Sequence, residues 1–326
     1  MKRKTYREFS REKKRKPRIA AIGTFDGVHY GHQTLIGKAR KKAESVGAEL
    51  IVLTFWPPPA VYLGPEDSQR DDLLTEQDEK AEYLQQLEVD VLVTARFDSH
   101  LAKLTPQQFC QQILVQELGL DWVFVGFDFS FGYQGRGTPE KLCALGDELG
   151  FRVEVLPPVQ LNNTSVSSTL IRRYIRKGEV DVAAQMLKRP YRLDGQVRPG
   201  AKRGKELGFP TANIVFSADK VTPKAGVYSV RATVLEKDVK CRPGVAHLGG
   251  SPTFSSGDDS VDLVEVHIIG FDGMLYGAQL QCHLIRWLRG NRHFHCLEEL
   301  SRQIRRDIDN VNQEKQFPPE LRGAVG

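Results

Sequence analysis

Between Arg18 and about Met186, short apolar runs alternate with stretches whose apolar residues recur at helical spacing. Ile19–Ile22, Glu49–Phe55, Val89–Thr94, Trp122–Val125 and Arg152–Leu156 read as buried strands. Thr34–Val46, Glu76–Leu87, Pro106–Leu118 and Pro139–Leu149 read as amphipathic helices between them. Such alternation predicts a mainly parallel sheet with helices on both faces, whose ligands bind at the carboxyl ends of the strands. Beyond Pro190 the pattern becomes short strands separated by turn residues: Leu193–Arg198, Val227–Leu235, Gly244–Leu248, Val261–Ile269 and Leu280–Trp287. One helical pattern, Leu297–Val311, follows. This second half predicts a small antiparallel barrel closed by a terminal helix. A helical segment near Asp181–Lys188, followed by Arg189-Pro190, reads as the linker. The expected division is a tail at 1–16, an α/β domain at 17–185, a barrel domain at 186–317 and a tail at 318–326.

Charge changes the picture only at the amino end. Residues 1–16 carry nine Lys/Arg against two Glu, a net +7, in a chain whose formal net charge is +5, so the remainder sums to −2. The basic character therefore belongs to a segment expected to be a solvated, disordered tail, and nucleic acid is not an expected partner of the body. No apolar run approaches the ~18 residues of a membrane span, and the tail lacks the apolar core of a secretory signal. Five cysteines without a C-x-x-C pair point to free thiols and a reducing, cytoplasmic location. Cys282-His283 with His293, His295 and Cys296 fits no common structural zinc spacing.

Three loops at expected strand ends carry candidate chemistry. The first, Gly23-Thr24-Phe25-Asp26-Gly27-Val28-His29-Tyr30-Gly31-His32, joins a strand to a helix. The first N–H groups of a helix lack intrahelical partners, and two histidines three apart add donors for a phosphoryl group. Asp26 either orients this turn or caps it. The second loop, Gly126-Phe127-Asp128-Phe129-Ser130-Phe131-Gly132, interleaves aromatics with one carboxylate, which suits a flat aromatic ligand with a polar head. The third, Ser167-Ser168-Thr169-Leu170-Ile171-Arg172, offers hydroxyls at a helix start and a bidentate phosphate partner. Neither G-x-G-x-x-G nor a P-loop occurs; Gly200-Ala201-Lys202-Arg203-Gly204-Lys205-Glu206 is the nearest miss.

The extended turn G-x-F-D-G-V-H-x-G-H, followed in order by G-x-D-F-x-F-G and S-S-T-x-I-R, resembles prokaryotic bifunctional riboflavin kinase/FMN adenylyltransferase (FAD synthetase). Arg192 to Ile214, with its Pro210-Thr211-Ala212-Asn213 segment, is similar to the start of that family's flavokinase module. Leu248–Phe254, Val264-Glu265-Val266-His267 and Tyr276-Gly277 extend the resemblance. It implies an H-x-G-H nucleotidyltransferase fold followed by a riboflavin kinase barrel. The substrates it implies are riboflavin, FMN and ATP, with Mg²⁺ accompanying ATP.

In the first domain the resemblance implies that His29 and His32 are catalytic. Gly23, Phe25, Gly31, Ser167, Ser168, Thr169 and Arg172 would bind ATP, and Asp128, Phe129 and Phe131 the flavin. In the second it implies Glu265 as the base, Thr211 and Asn213 as ATP and Mg²⁺ ligands, Gly200 and Lys205 over the nucleotide, and Arg289 near the flavin. The chain departs from the family pattern at Pro58, Gln134, Gly250 and Asn291. Retention of only one activity, another phosphorylated substrate for the H-x-G-H domain, and a non-catalytic flavin-binding regulator stay as alternatives.

Overall fold

The computed structural model describes residues 1–9, 16–64, 73–200, 208–235, 237, 239–249 and 263–313. Of the expectations above, Lys205, Gly250, the start of the Val261 strand, residues 10–15 and the tail at 318–326 lie outside the described residues. Two compact units result: Met1–Gln69 with Thr75–Ser167, and Arg70–Leu74 with Ser168–Gly326.

The first unit is built on one sheet of β1 (Lys2–Thr5), β2 (Arg18–Ile22), β3 (Glu49–Trp56), β4 (Val91–Arg96), β5 (Trp122–Gly126) and β6 (Arg152–Leu156), in the order β1-β4-β3-β2-β5-β6. Every pairing is parallel. The inner strands are continuous apolar runs because crossover helices cover both faces, and all of β2 is buried. From β2 the sheet grows toward β3 on one side and toward β5 on the other. The turns that leave β2 and β5 are therefore neighbours at the carboxyl edge, the switch point where such sheets bind ligands.

Residues 2–9 correct the expectation of a solvated tail. Lys2–Thr5 pairs with β4 as an edge strand, and its exposed charges discourage pairing with other chains. The short helix Tyr6–Phe9 then buries Phe9 completely, with the Arg18 guanidinium 4.4 Å over its ring. The charge pattern concealed an anchor of one aromatic residue.

The second unit is a closed barrel of β9 (Tyr191–Arg198), β10 (Ala212–Val215), β11 (Gly226–Val234), β12 (Val239–Leu248), β13 (Leu263–Ile268) and β14 (Gln279–Arg289), ordered β10-β13-β12-β11-β14-β9. All of its pairings are antiparallel. The helices Ser168–Lys177 and Val180–Leu187 belong to this unit, and the second packs its buried face on β14 and β9. The terminal helix, Leu297–Gln313, lays Ile308 and Val311 against Val227 and Val245.

That helix is fastened by an ion pair between the half-buried Arg289 and the buried Asp307. Arg289 donates from Nε (3.2 and 3.0 Å) and Nη2 (2.8 Å) to the Asp307 carboxylate, which also accepts from Gln303 Nε2 at 2.9 Å. Removing one partner of such a pair strands a charge, at a cost of roughly 3–5 kcal/mol. Asp307→Ala should therefore lower barrel stability by about that amount in equilibrium denaturant unfolding. A change under ~1 kcal/mol would show that helix anchoring does not depend on the pair.

Candidate functional site

The turn after β2 is strained and heavily restrained. Phe25 (φ 49°) and Val28 (φ 37°) are non-glycine residues in the left-handed region, with Gly27 at φ 79° between them. Non-glycine residues held there cost on the order of 1–3 kcal/mol each and persist only where their surroundings over-determine them. The restraints surround the turn. Asp26 Oδ1 accepts from the Thr75 N–H (3.1 Å) and Oγ1 (3.4 Å), and the Gly27 N–H donates to Thr75 Oγ1 at 3.0 Å. The Thr24 carbonyl accepts from Lys80 Nζ at 2.8 Å and Thr54 Oγ1 at 3.0 Å. Of the two roles the sequence left open for Asp26, orientation of the turn is the one these bonds describe.

The restrained turn delivers both histidines to the start of the Tyr30–Val46 helix. His29 is its N-cap, and its Nδ1 accepts from the His32 N–H at 3.3 Å. The two imidazoles stack with centroids 3.6 Å apart and planes 15° from parallel, and Phe25 meets His32 edge-on at 5.2 Å. A nitrogen that accepts carries no proton, so the His29 ring in this arrangement holds its proton on Nε2. The stack stands beside the first N–H groups of a helix, where an anion is favoured. Gly31 makes it possible: a Cβ there would come within 3.1 Å of His29 Cε1.

The loop after β5 divides its aromatics. Phe129 and Phe131 stack at 5.5 Å, and Phe131 joins the core while Phe129 packs against it. Asp128 is exposed, and so is Phe127, the ring this loop leaves open to a ligand. Phe131 is buried and Phe129 half-buried, so Phe127 is the most exposed of the three rings. A cavity of about 640 Å³ opens at the carboxyl ends of β1, β4 and β3, lined by Thr54, Phe55, Trp56, Thr94 and Arg96, with Lys80 at its wall. Ser167 belongs to the first unit. Ser168 opens the Ser168–Lys177 helix of the second unit, which carries Thr169 and Arg172 in its first turns.

In the barrel, register assembles one polar row. Asn213 on β10 lies opposite Arg198 on β9 and Glu265 on β13, and Glu265 lies opposite His247 on β12. Residues directly opposite share a face, with Cβ atoms ~4.5–5.5 Å apart. Their chain neighbours Ile214, Val264, Val266, Ala246 and Leu248 are buried in the core, so the row lies outside the barrel. Gly200 presses on it: a Cβ there would sit 1.8 Å from Asn213 Nδ2. His267 Nδ1 lies 2.9 Å from the Pro210 carbonyl, which ties the exposed Thr211 to β13.

His247 Nε2 meets Asn291 Oδ1 at 3.0 Å, while Gly249 has no room for a side chain, since a Cβ would come within 2.4 Å of Asn291 Nδ2. The resemblance had drawn attention to Asn291 as a departure; in the structure it holds a histidine beside Glu265. Arg289, assigned to the flavin by resemblance, commits its guanidinium to Asp307 and the Gly290 carbonyl. Among the described residues no three His, Cys, Asp or Glu side chains cluster as a metal site. Thr211 and Asn213 carry neutral oxygens of the kind that Mg²⁺ accepts while it keeps water and phosphate for the rest of its shell.

A parallel sheet with an H-x-G-H turn and a barrel with a Thr-x-Asn/Glu face define a nucleotidyltransferase domain followed by a flavokinase domain. Residues 11–170 match the FAD synthetase family and residues 187–314 the riboflavin kinase family. The bifunctional riboflavin kinase/FMN adenylyltransferase of Bacillus subtilis is 34% identical over 291 residues, covering 89% of this chain and 90% of the relative. That of Listeria monocytogenes is 37% identical over 290 residues, with the same coverage. A crystal structure described as a macrolide-efflux protein from Streptococcus pneumoniae superposes with a TM-score of 0.85 at 27% identity, over 97% of this chain and 100% of that one. The chain belongs to the bifunctional riboflavin kinase/FMN adenylyltransferase family.

Misplacing reacting groups by about 1 Å can cost ~10²-fold in rate. Gly200→Ala, which must displace Asn213, should lower riboflavin phosphorylation at least ~10-fold and leave FAD formation from supplied FMN within ~2-fold. Parallel assays of the two reactions on one preparation check this.

Proposed function

We propose that the barrel phosphorylates riboflavin to FMN and that the sheet domain adenylylates FMN to FAD, each with its own ATP. The observation that carries this reading is that each unit holds a separate polar constellation: stacked His29 and His32 in one, and the Asn213–Glu265–His247 row in the other. No helix among the described residues is long and apolar enough to cross a membrane.

In the kinase half, Glu265 takes the proton of riboflavin's terminal ribityl hydroxyl as its oxygen bonds to the γ-phosphorus of ATP and ADP leaves. Thr211 and Asn213 supply neutral oxygens for a Mg²⁺ ion, which when bound neutralises phosphate charge. Gly200 lies over Asn213 and keeps it in place. His247, across from Glu265, belongs to the same surface.

In the adenylyltransferase half, an FMN phosphate oxygen bonds to the α-phosphorus of ATP and the bond to the β-phosphate breaks, releasing pyrophosphate. No covalent enzyme intermediate is needed. His29 and His32, with the backbone N–H groups of the helix start, stabilise charge that builds on the phosphates. Ser167 offers a further phosphate donor on the same unit, and the resemblance assigns Ser168, Thr169 and Arg172 to phosphates as well. Asp128 and the open ring of Phe127 serve the flavin.

Incubation with riboflavin, ATP and Mg²⁺, followed by chromatography of the flavins, should show FMN and then FAD. Riboflavin recovered unchanged at high protein concentration would sink the proposal. Glu265→Ala should slow FMN formation by ~10²–10⁴-fold while still converting supplied FMN to FAD. His29→Ala should stall the sequence at FMN, with FAD formation down by ~10²–10³-fold. Loss of both steps in either variant would overturn the division of labour.

A further inference from the structure

Lys80 stands beneath the H-x-G-H turn, in a place where a lysine is hard to explain by packing. It lies in the Gln77–Gln86 helix, whose buried face includes Ala81, Tyr83 and Leu84, and it is 3% exposed. An apolar side chain of similar length would fill the space without desolvating a charge, and such replacements of buried charges are often neutral or stabilising. Burial pushes the ammonium below the ordinary lysine range, and the nearby Asp26 carboxylate acts against that shift. A buried, perturbed ionisable group beside a ligand-binding edge is a mark of function when geometry agrees.

The geometry agrees in three respects. Lys80 Nζ donates to the Thr24 carbonyl at 2.8 Å, just before the strained residues Phe25 and Val28. Asp26, the anion that faces Lys80, is held by Thr75, which also receives the Gly27 N–H. Lys80 also lines the cavity at the strand ends, beside Thr54, which donates to the same Thr24 carbonyl. The ammonium thus touches the turn's backbone, faces its carboxylate and reaches the open side of the strand ends.

We propose that Lys80 is a positioning residue for adenylyl transfer: its buried charge holds the strained turn in the conformation that presents His29 and His32 to the phosphates. The proposal rests on the adenylyltransferase reading of the first unit. Lys80 acts through the turn, adding positive potential under the place where the reacting phosphates gain negative charge. A group that acts in this way affects the transition state more than ground-state binding, so its loss appears in kcat and not in KM.

The test measures kcat and KM for FAD formation, the rate of riboflavin phosphorylation and thermal unfolding, on full-length wild type, Lys80→Met and Lys80→Arg. The Met chain should lose about 50-fold or more in kcat, with both KM values within ~3-fold and riboflavin phosphorylation within ~2-fold. The Arg chain, which keeps the charge, should recover at least ~10-fold of that loss. A Met chain with kcat within ~3-fold of wild type overturns the proposal. So does a loss confined to KM, or an Arg chain no faster than the Met chain. If Lys80→Met loses its cooperative unfolding transition, Lys80→Gln takes its place, retaining a donor for Thr24 without the charge. A Gln chain that turns over at the wild-type rate overturns the proposal as well. A wild-type chain that makes no FAD from FMN and ATP instead removes the adenylyltransferase reading itself.

Discussion

The sheet domain depends on one topological constraint: β2 is the strand from which the parallel sheet grows in both directions. A parallel strand cannot return by a tight hairpin, so its successors arrive through crossovers that cover both faces. That leaves the turns after β2 and β5 side by side at one edge, with no helix between them. The chemistry of the domain follows. The H-x-G-H turn occupies the first place and Phe127-Asp128 the second. The restraints from Thr54, Thr75 and Lys80 all serve to hold backbone that the turn could not keep by itself. Strain there is a consequence of bringing two imidazoles to a helix start within a single short connection.

The barrel reaches its constellation by another route. Its site is made by register, with Asn213, Glu265 and His247 contributed by three adjacent strands at the same level. A slip of one residue in β13 would turn Glu265 into the core and bring Val264 or Val266 to the surface. The apolar alternation of β13 therefore does two jobs, filling the barrel and fixing where the carboxylate stands. The chain reads both sets of instructions from the same six residues.

Much of this was legible beforehand because the strongest signals are local. The inner strands announce themselves as apolar runs, and observed β3, β5 and β6 begin where the pattern places them. The turn after β2 was visible because its glycines and histidines are crowded into ten residues. What escaped was set by tertiary context. Lys2–Thr5 carries three cations, and only pairing with β4 makes it a strand. The loop pattern does not say that Phe131 is buried in the core and that Phe129 packs half-buried against it. Lys80 reads as one more polar position on an amphipathic helix, since no periodicity tells a buried lysine from a solvated one. Arg289 depends on Asp307, eighteen residues later, and no local pattern announces that partner.

The contacts among His247, Gly249 and Asn291 carry a consequence for how this surface can vary. Asn291 fills the space that a side chain at position 249 would need, and it also supplies the oxygen that faces the His247 ring. The three positions thus share one volume and one hydrogen bond, although they come from two distant stretches of the chain. Gly249 also sits at φ 146°, a conformation that side chains rarely adopt, so residue 249 stays a glycine whatever stands at 291. Variation at this corner therefore falls on residues 247 and 291, whose shared hydrogen bond ties the choice of one to the choice of the other.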